Sequence, residues 1–155
     1  MGVETDKHWM EHALALARLG RERGEVPVGA VLVEDGEVIG EGFNSPVSLD
    51  DPTAHAEILA IRQAAARKSN YRLPGTTLYV TLEPCPMCAG AVVNARIKRL
   101  VFGAFDDKSG AAGSVTDLFK PRLFNHRSLV TGGVLRESCG QLLSEFFLEK
   151  RKKNR

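Results

Sequence analysis

The sequence predicts a single α/β domain in which a mixed sheet of four or five strands carries helices on both faces. Two patterns predict the sheet. Residues 28–33 and 38–43 are β-rich runs on either side of Asp35-Gly36, a strong hairpin signal, so they pair antiparallel. Residues 76–81 and 100–103 are strand-like runs separated by a helical stretch at 85–94, which makes them a parallel pair joined by a crossover. Apolar residues at helical spacing before, between and after these runs supply the flanking helices.

The first helix covers about residues 6–20, with Trp9, Ala13, Leu16 and Ala17 on its apolar side, Thr5 or Asp6 as cap, and Gly20 and Gly24 as stops. His8 and His12 stand four apart on it, but no carboxylate or cysteine pattern surrounds them, and they read as surface histidines. After the hairpin, a polar loop marked by Pro46 and Pro52 leads into a helix over 54–68 that buries Ile58, Leu59, Ile61 and Ala65. Residues 70–75 turn into strand 76–81, Glu83-Pro84 ends that strand, and Cys85 opens the next helix. Beyond strand 100–103, the Gly, Ala, Asp and Lys of residues 106–113 suit a functional loop better than packing. A short strand is expected at Leu129 and Val130. A closing helix over 135–152 places Leu142, Leu143, Phe146 and Phe147 on its apolar side. With no repeat, linker or low-complexity segment, residues 1–155 read as one domain.

At 155 residues and 43% hydrophobic, the chain can bury one core without disulfides. Three cysteines, two of them in C-x-x-C, and no start resembling a signal peptide point to metal or redox chemistry in a reducing compartment, and a cytoplasmic location is expected. No apolar run approaches the ~18 residues of a membrane span, so no membrane association is expected. The formal net charge is +2, yet five of the six residues at 150–155 are basic, and without them the chain carries −3. A basic end on a mildly acidic body fits a polyanion approached at one edge, and fits a solvated helix end equally well.

The chemistry concentrates in Leu82-Glu83-Pro84-Cys85-Pro86-Met87-Cys88 and in His55-Ala56-Glu57. Two cysteines three apart at a helix start put both sulfurs on one face of the first turn, where the helix dipole favours thiolates. With His55 as third donor the site has the ligand types of zinc, and three protein ligands leave one tetrahedral position open to a water molecule. Glu57, two residues from His55, is placed to move protons to and from that water. The competing arrangement is a closed structural site with Cys139 or His126 as fourth ligand, but neither belongs to a second local pair. Cys139 reads instead as a small buried residue of the last helix.

These motifs resemble the signature of the zinc nucleoside and nucleobase deaminases. The stretches 25–30, 42–44, 51–57, 102–104 and 110–114 together resemble, across most of the chain, the bacterial tRNA-specific adenosine deaminase family. The resemblance implies a cytidine-deaminase-like three-layer α/β/α sandwich, a homodimer, and conversion of the wobble adenosine of a tRNA anticodon stem-loop to inosine. It implies one zinc per subunit on His55, Cys85 and Cys88, with Glu57 as proton carrier. Asn44 resembles the family's base-contacting asparagine, Val28 and Ala56 are expected to wall the pocket, and Asp106 resembles the residue that reads the RNA sugar through its 2′-hydroxyl. Phe147 is expected to pack beside the extruded loop, with Lys150 and Arg151 on phosphates, and only one of Phe146 and Phe147 is expected to touch RNA. One position departs from the family's pattern: Phe105 stands where arginine is expected, which removes a phosphate contact. The alternatives are a deaminase of a free base or nucleotide, which would need neither the 103–114 loop nor the basic last helix, and a noncatalytic RNA-binding module with structural zinc, which would have no use for Glu57.

Overall fold

The computed structural model describes residues 2–154, so Met1 and, from the basic end, Arg155 lie outside the described residues. Helix α1 (Val3–Glu22) precedes a hairpin of β1 (Gly29–Glu34) and β2 (Glu37–Phe43). Then come α2 (Ala56–Lys68), β3 (Thr77–Leu82), α3 (Pro86–Asn94), β4 (Arg99–Ala104), β5 (Leu129–Thr131) and α4 (Arg136–Lys153). Asp35 and Gly36 make the hairpin turn with φ of 50° and 76°, the positive values that a two-residue type I′ connection requires. The strands form one sheet in the order β2-β1-β3-β4-β5. Strand β1 is antiparallel to β2 and β3, whereas β3, β4 and β5 run parallel.

Alternation along the strands divides the interior into two layers. Ala30, Leu32, Leu78, Val80, Leu100 and Phe102 pack with the alanines and valines of α2 and α3. Val31, Val33, Tyr79 and Val101 pack with Met10, Ala13, Leu14 and Ala17 of α1 and with Cys139 and Leu142 of α4. The result is a three-layer α/β/α sandwich with five strands.

On α2 the buried face is the small one. Ala56, Ala60 and Ala64 are buried, whereas Ile58, Leu59, Ile61 and Ala65, expected in the core, are half-buried. The cause lies in β2. A Cβ on Gly40 would lie 2.2 Å from the Ala60 carbonyl oxygen, and one on Gly42 would lie 2.8 Å from that of Ala56. Helix backbone therefore rests directly on strand backbone, and only residues without bulk fit the contact. Gly29 does the same under α1, where a Cβ would come within 2.0 Å of the Ala13 carbonyl oxygen.

Helix α1 also departs from expectation. It begins at Val3, so Asp6 lies inside the helix rather than capping it. Its buried apolar side chains are Met10, Ala13, Leu14 and Ala17, with Trp9 and Leu16 half-exposed at the edges. Asp6 is buried because both carboxylate oxygens accept from Arg99, Nη1 and Nη2 each at 2.7 Å, while the Tyr79 hydroxyl donates to Oδ1 at 3.1 Å. Burial and the neighbouring Asp6 push Tyr79 up to about 12, so it stays a donor. Arg99 also reaches Thr131 Oγ1 at 3.1 Å, and one ion pair thereby joins α1 to three parallel strands. We expect Asp6→Ala to lower the unfolding free energy by about 3 kcal/mol, because it leaves a half-buried guanidinium and a buried hydroxyl unpaired. Urea denaturation measures this, and a loss under about 1 kcal/mol would mean that water replaces the pair.

Candidate active site

Two helix N-termini converge on one point. His55 is the N-cap of α2 and Cys85 the N-cap of α3, both in extended backbone, so the helices start at Ala56 and Pro86 rather than at residues 54 and 85. Pro86 suits the first helical position, which needs no hydrogen-bonded N–H, and Cys88 follows in the same turn. His55 Nδ1 lies 3.6 Å from Cys85 Sγ and 3.5 Å from Cys88 Sγ, and all three donor atoms fall within 4.8 Å of one another. Tetrahedral zinc with bonds of about 2.3 Å to sulfur and about 2.0 Å to nitrogen sets sulfur–nitrogen separations of about 3.5 Å. The donors already stand at that spacing. Among the described residues they form the one metal-sized group of His, Cys, Asp or Glu.

The three donors and Glu57 perturb one another's acidity. A hydrogen bond from Cys88, with further help from His55, overcomes burial and brings the Cys85 thiol down to about 4. The same shared bond, burial and the nearby Glu57 carboxyl push Cys88 the other way. His55 is raised chiefly by its bond to Cys85. Glu57 is 3% exposed, and burial pushes its carboxyl above the usual range despite its own backbone N–H and His55. A deprotonated sulfur beside an imidazole and a second sulfur is the donor set that zinc takes.

Neither candidate fourth ligand reaches the cluster. Cys139 is buried in the other layer, where a Cβ on Gly103 would sit 2.4 Å from its sulfur, and burial raises its thiol to about 12. His126 Nε2 is bonded to the Ile97 carbonyl at 2.8 Å. His55 and Cys85 face instead a cavity of about 120 Å³ lined also by Val28, Asn44, Glu57 and Asp106, with Cys88 buried behind them. Asn44 Oδ1 accepts the Ala56 N–H at 2.9 Å, which fixes its amide so that the Nδ2 group is the end left for the cavity. Ala56 does not wall that space. Its side chain is wholly buried in the core against β2, and its amide is committed to Asn44.

Sequence reasoning missed Val26, Leu82, Glu83 and Ser109, which complete the lining. In sequence Glu83 ends a strand beside the cysteine motif and shows no role of its own, because the loop that surrounds it lies more than twenty residues away. The cavity also continues outward. Val26, Leu82, Asp106 and Ser109 are shared with a space of about 550 Å³ that reaches Phe105 and Phe147. Lys108 and Phe147 are shared in turn with a groove that reaches Lys150 and Arg151. Phe146 is buried and Phe147 is 45% exposed, so only Phe147 faces this track. Phe105 packs edge-on against Phe102 and holds the Arg136 guanidinium 4.8 Å from its ring centre, so a cation stands beside that position after all.

The family model for the cytidine and deoxycytidylate deaminase zinc-binding region matches residues 3–104. The chain belongs to this deaminase family. It is 54% identical to the tRNA-specific adenosine deaminase of Haemophilus influenzae, over 98% of this chain and 88% of that one. It is 49% identical to the tRNA-specific adenosine deaminase of Bacillus subtilis, over 99% and 95%. A solved structure from a study of A-to-I editing by tRNA:A34 deaminases superimposes with a TM-score of 0.83 at 49% identity, covering 88% of this chain and 99% of that one. The zinc site of this deaminase family predicts a clear outcome for metal content. Elemental analysis of the purified protein should find one zinc per chain, lost in His55→Ala and Cys88→Ser and retained in Cys139→Ser. Loss of zinc in Cys139→Ser would instead indicate a closed four-ligand site.

Proposed function

We propose that this chain is a zinc-dependent tRNA adenosine deaminase that hydrolyses the wobble adenosine, position 34 of an anticodon, to inosine. The observation that carries it is full-length kinship with tRNA-specific adenosine deaminases in a chain whose three-ligand cluster opens onto a cavity running out to a basic groove. A bound zinc supplies one thing, an acidified water at the open face of the cluster. The protein does the rest. Glu57 would take a proton from the attacking water and give it to N1 of adenine, then take the remaining proton from the hydroxyl now on C6 and deliver it to the exocyclic amine. The C6–O bond forms, the C6–N bond breaks, and ammonia leaves.

Binding follows the same track. The target nucleotide must leave its stack to reach a cavity this small. Asn44 presents its amide to the base and Val28 provides an apolar wall. Asp106 accepts from the sugar 2′-hydroxyl, which selects RNA. Phe147 packs against the splayed loop while Lys150 and Arg151 hold its phosphates. A homodimer fits the apolar residues left uncovered next to the site, half-buried Ile58 on α2 and Met87, 38% exposed, on α3. Among the described residues no helix is long and apolar enough to cross a membrane, and reduced cysteine ligands and a tRNA substrate fit the cytoplasm.

Incubation of the zinc-loaded protein with an anticodon stem-loop bearing wobble adenine, and separately with adenosine, cytidine and guanine, tests the reading. Inosine is expected in the stem-loop alone, and Glu57→Gln is expected to cut turnover by about a thousandfold or more while zinc stays bound. Turnover of a free base or nucleoside in preference to RNA would move the protein to another member of the same fold. Replacing Lys150 and Arg151 together by alanine should raise KM for the stem-loop and flatten its salt dependence by about two counterions, with kcat preserved.

A further inference from the structure

We propose that Glu83 is a positioning residue for substrate recognition, its buried carboxylate holding the 106–114 loop in the arrangement that aims Asp106 at the sugar of the target nucleotide. The inference rests on the reading of Asp106 given above. Glu83 is 2% exposed and stands two residues before Cys85. Four donors from one loop close around it. Oε1 accepts from Asp106 N at 3.0 Å and from the Ser114 hydroxyl, and Oε2 accepts from Ala112 N at 3.0 Å and Ser114 N at 3.1 Å. The loop crosses directly over the carboxylate at Gly110, where a Cβ would lie 2.4 Å from Glu83 Cδ. The main chain follows the same route, with Glu83 N donating to the Ala104 carbonyl at 2.8 Å and Ala111 N donating to that of Pro84 at 2.8 Å.

This cradle fixes Asp106 at its own backbone. The Asp106 side chain then closes a local turn, Oδ1 accepting from Lys108 N and Ser109 N at 3.0 and 3.2 Å. Among the described residues its other oxygen meets only the Ser109 hydroxyl, at 3.3 Å, and is the acceptor with capacity left for a ligand at the cavity that Asp106 lines. A single side chain thus registers the proposed sugar reader against a metal ligand two residues along the same segment. Glutamate is required because both oxygens accept; glutamine would turn an NH₂ group toward N–H or O–H donors.

The test compares turnover of a stem-loop carrying ribose at the target adenosine with one carrying 2′-deoxyribose there. For Glu83→Gln we expect KM on the ribose substrate to rise about tenfold with kcat within about threefold, and the ribose preference to fall about tenfold. Hydrogen exchange at the Asp106, Ala112 and Ser114 amides should accelerate while zinc content stays at one per chain. Glu25 provides the control. It is equally buried and pins the opposite loop through Val47 N, Ser48 N and the Ser48 hydroxyl, so Glu25→Gln should leave the ribose preference unchanged. If Glu83→Gln does not fold, Ser114→Ala removes one donor from the other side and should shift preference and exchange in the same direction, by about threefold. An unchanged ribose preference in Glu83→Gln, or in Ser114→Ala where that variant stands in, overturns the inference provided Asp106→Asn loses the preference. Should Asp106→Asn keep the preference, the reading of Asp106 itself fails.

Discussion

The close contact of α2 with the hairpin is the constraint on which the rest depends. Because Gly40 and Gly42 put no side chain between strand and helix, Ala60 and Ala56 bring α2 down to backbone contact with β2. That depth sets where the helix begins, and its N-cap is His55. Strand β3, two places away in the sheet, runs into Cys85 at the N-cap of α3. The separation of 3.5 to 3.6 Å between His55 Nδ1 and the two sulfurs is therefore a property of the sheet and its glycines as much as of the ligands. Any bulk at Gly40 would lift the helix and carry the histidine with it.

Two further pieces of buried charge shape what surrounds the cluster. Glu25 and Glu83 are carboxylates almost without solvent, and each is held ionised by donors from a single loop, strongly enough to outweigh the effect of burial. The loops are irregular, yet the N–H groups of Val47, Ser48, Asp106, Ala112 and Ser114 are satisfied by these two carboxylates. A buried acceptor with several donors sets a loop more sharply than apolar packing does, since losing any one donor leaves an unpaired group. The walls of the cavity are in this way fixed before a substrate arrives.

What could be read in the sequence follows the range of the interactions involved. The hairpin, the parallel pair and the zinc ligands depend on short segments and on residue types with few other uses, so Asp35-Gly36 and Cys85-x-x-Cys88 were legible. The buried face of α2 was not, because apolar pattern ranks residues by size, and here Gly40 and Gly42 bring the strand so close that the small Ala56, Ala60 and Ala64 take the buried positions. Asp6, like Thr5, reads in sequence as a cap because its partner Arg99 lies 93 residues on, beyond any local pattern. The family resemblance implies that Ala56 walls the cavity, but a helix turns each successive side chain through about 100°, which sends that methyl into the core. Glu83 is the same kind of miss, an acidic residue whose role appears only once the loop has folded over it.

With His55, Cys85 and Cys88 as the metal's protein ligands and no fourth side chain, one position stays open beside Glu57, and X-ray absorption at the zinc edge of the purified protein reads that coordination. Two sulfurs are expected at about 2.3 Å, one imidazole nitrogen at about 2.0 Å and one further light atom from solvent. A fit requiring three sulfurs, or two imidazoles with two sulfurs, would contradict it, because the site would then be closed and Glu57 would have no water to serve.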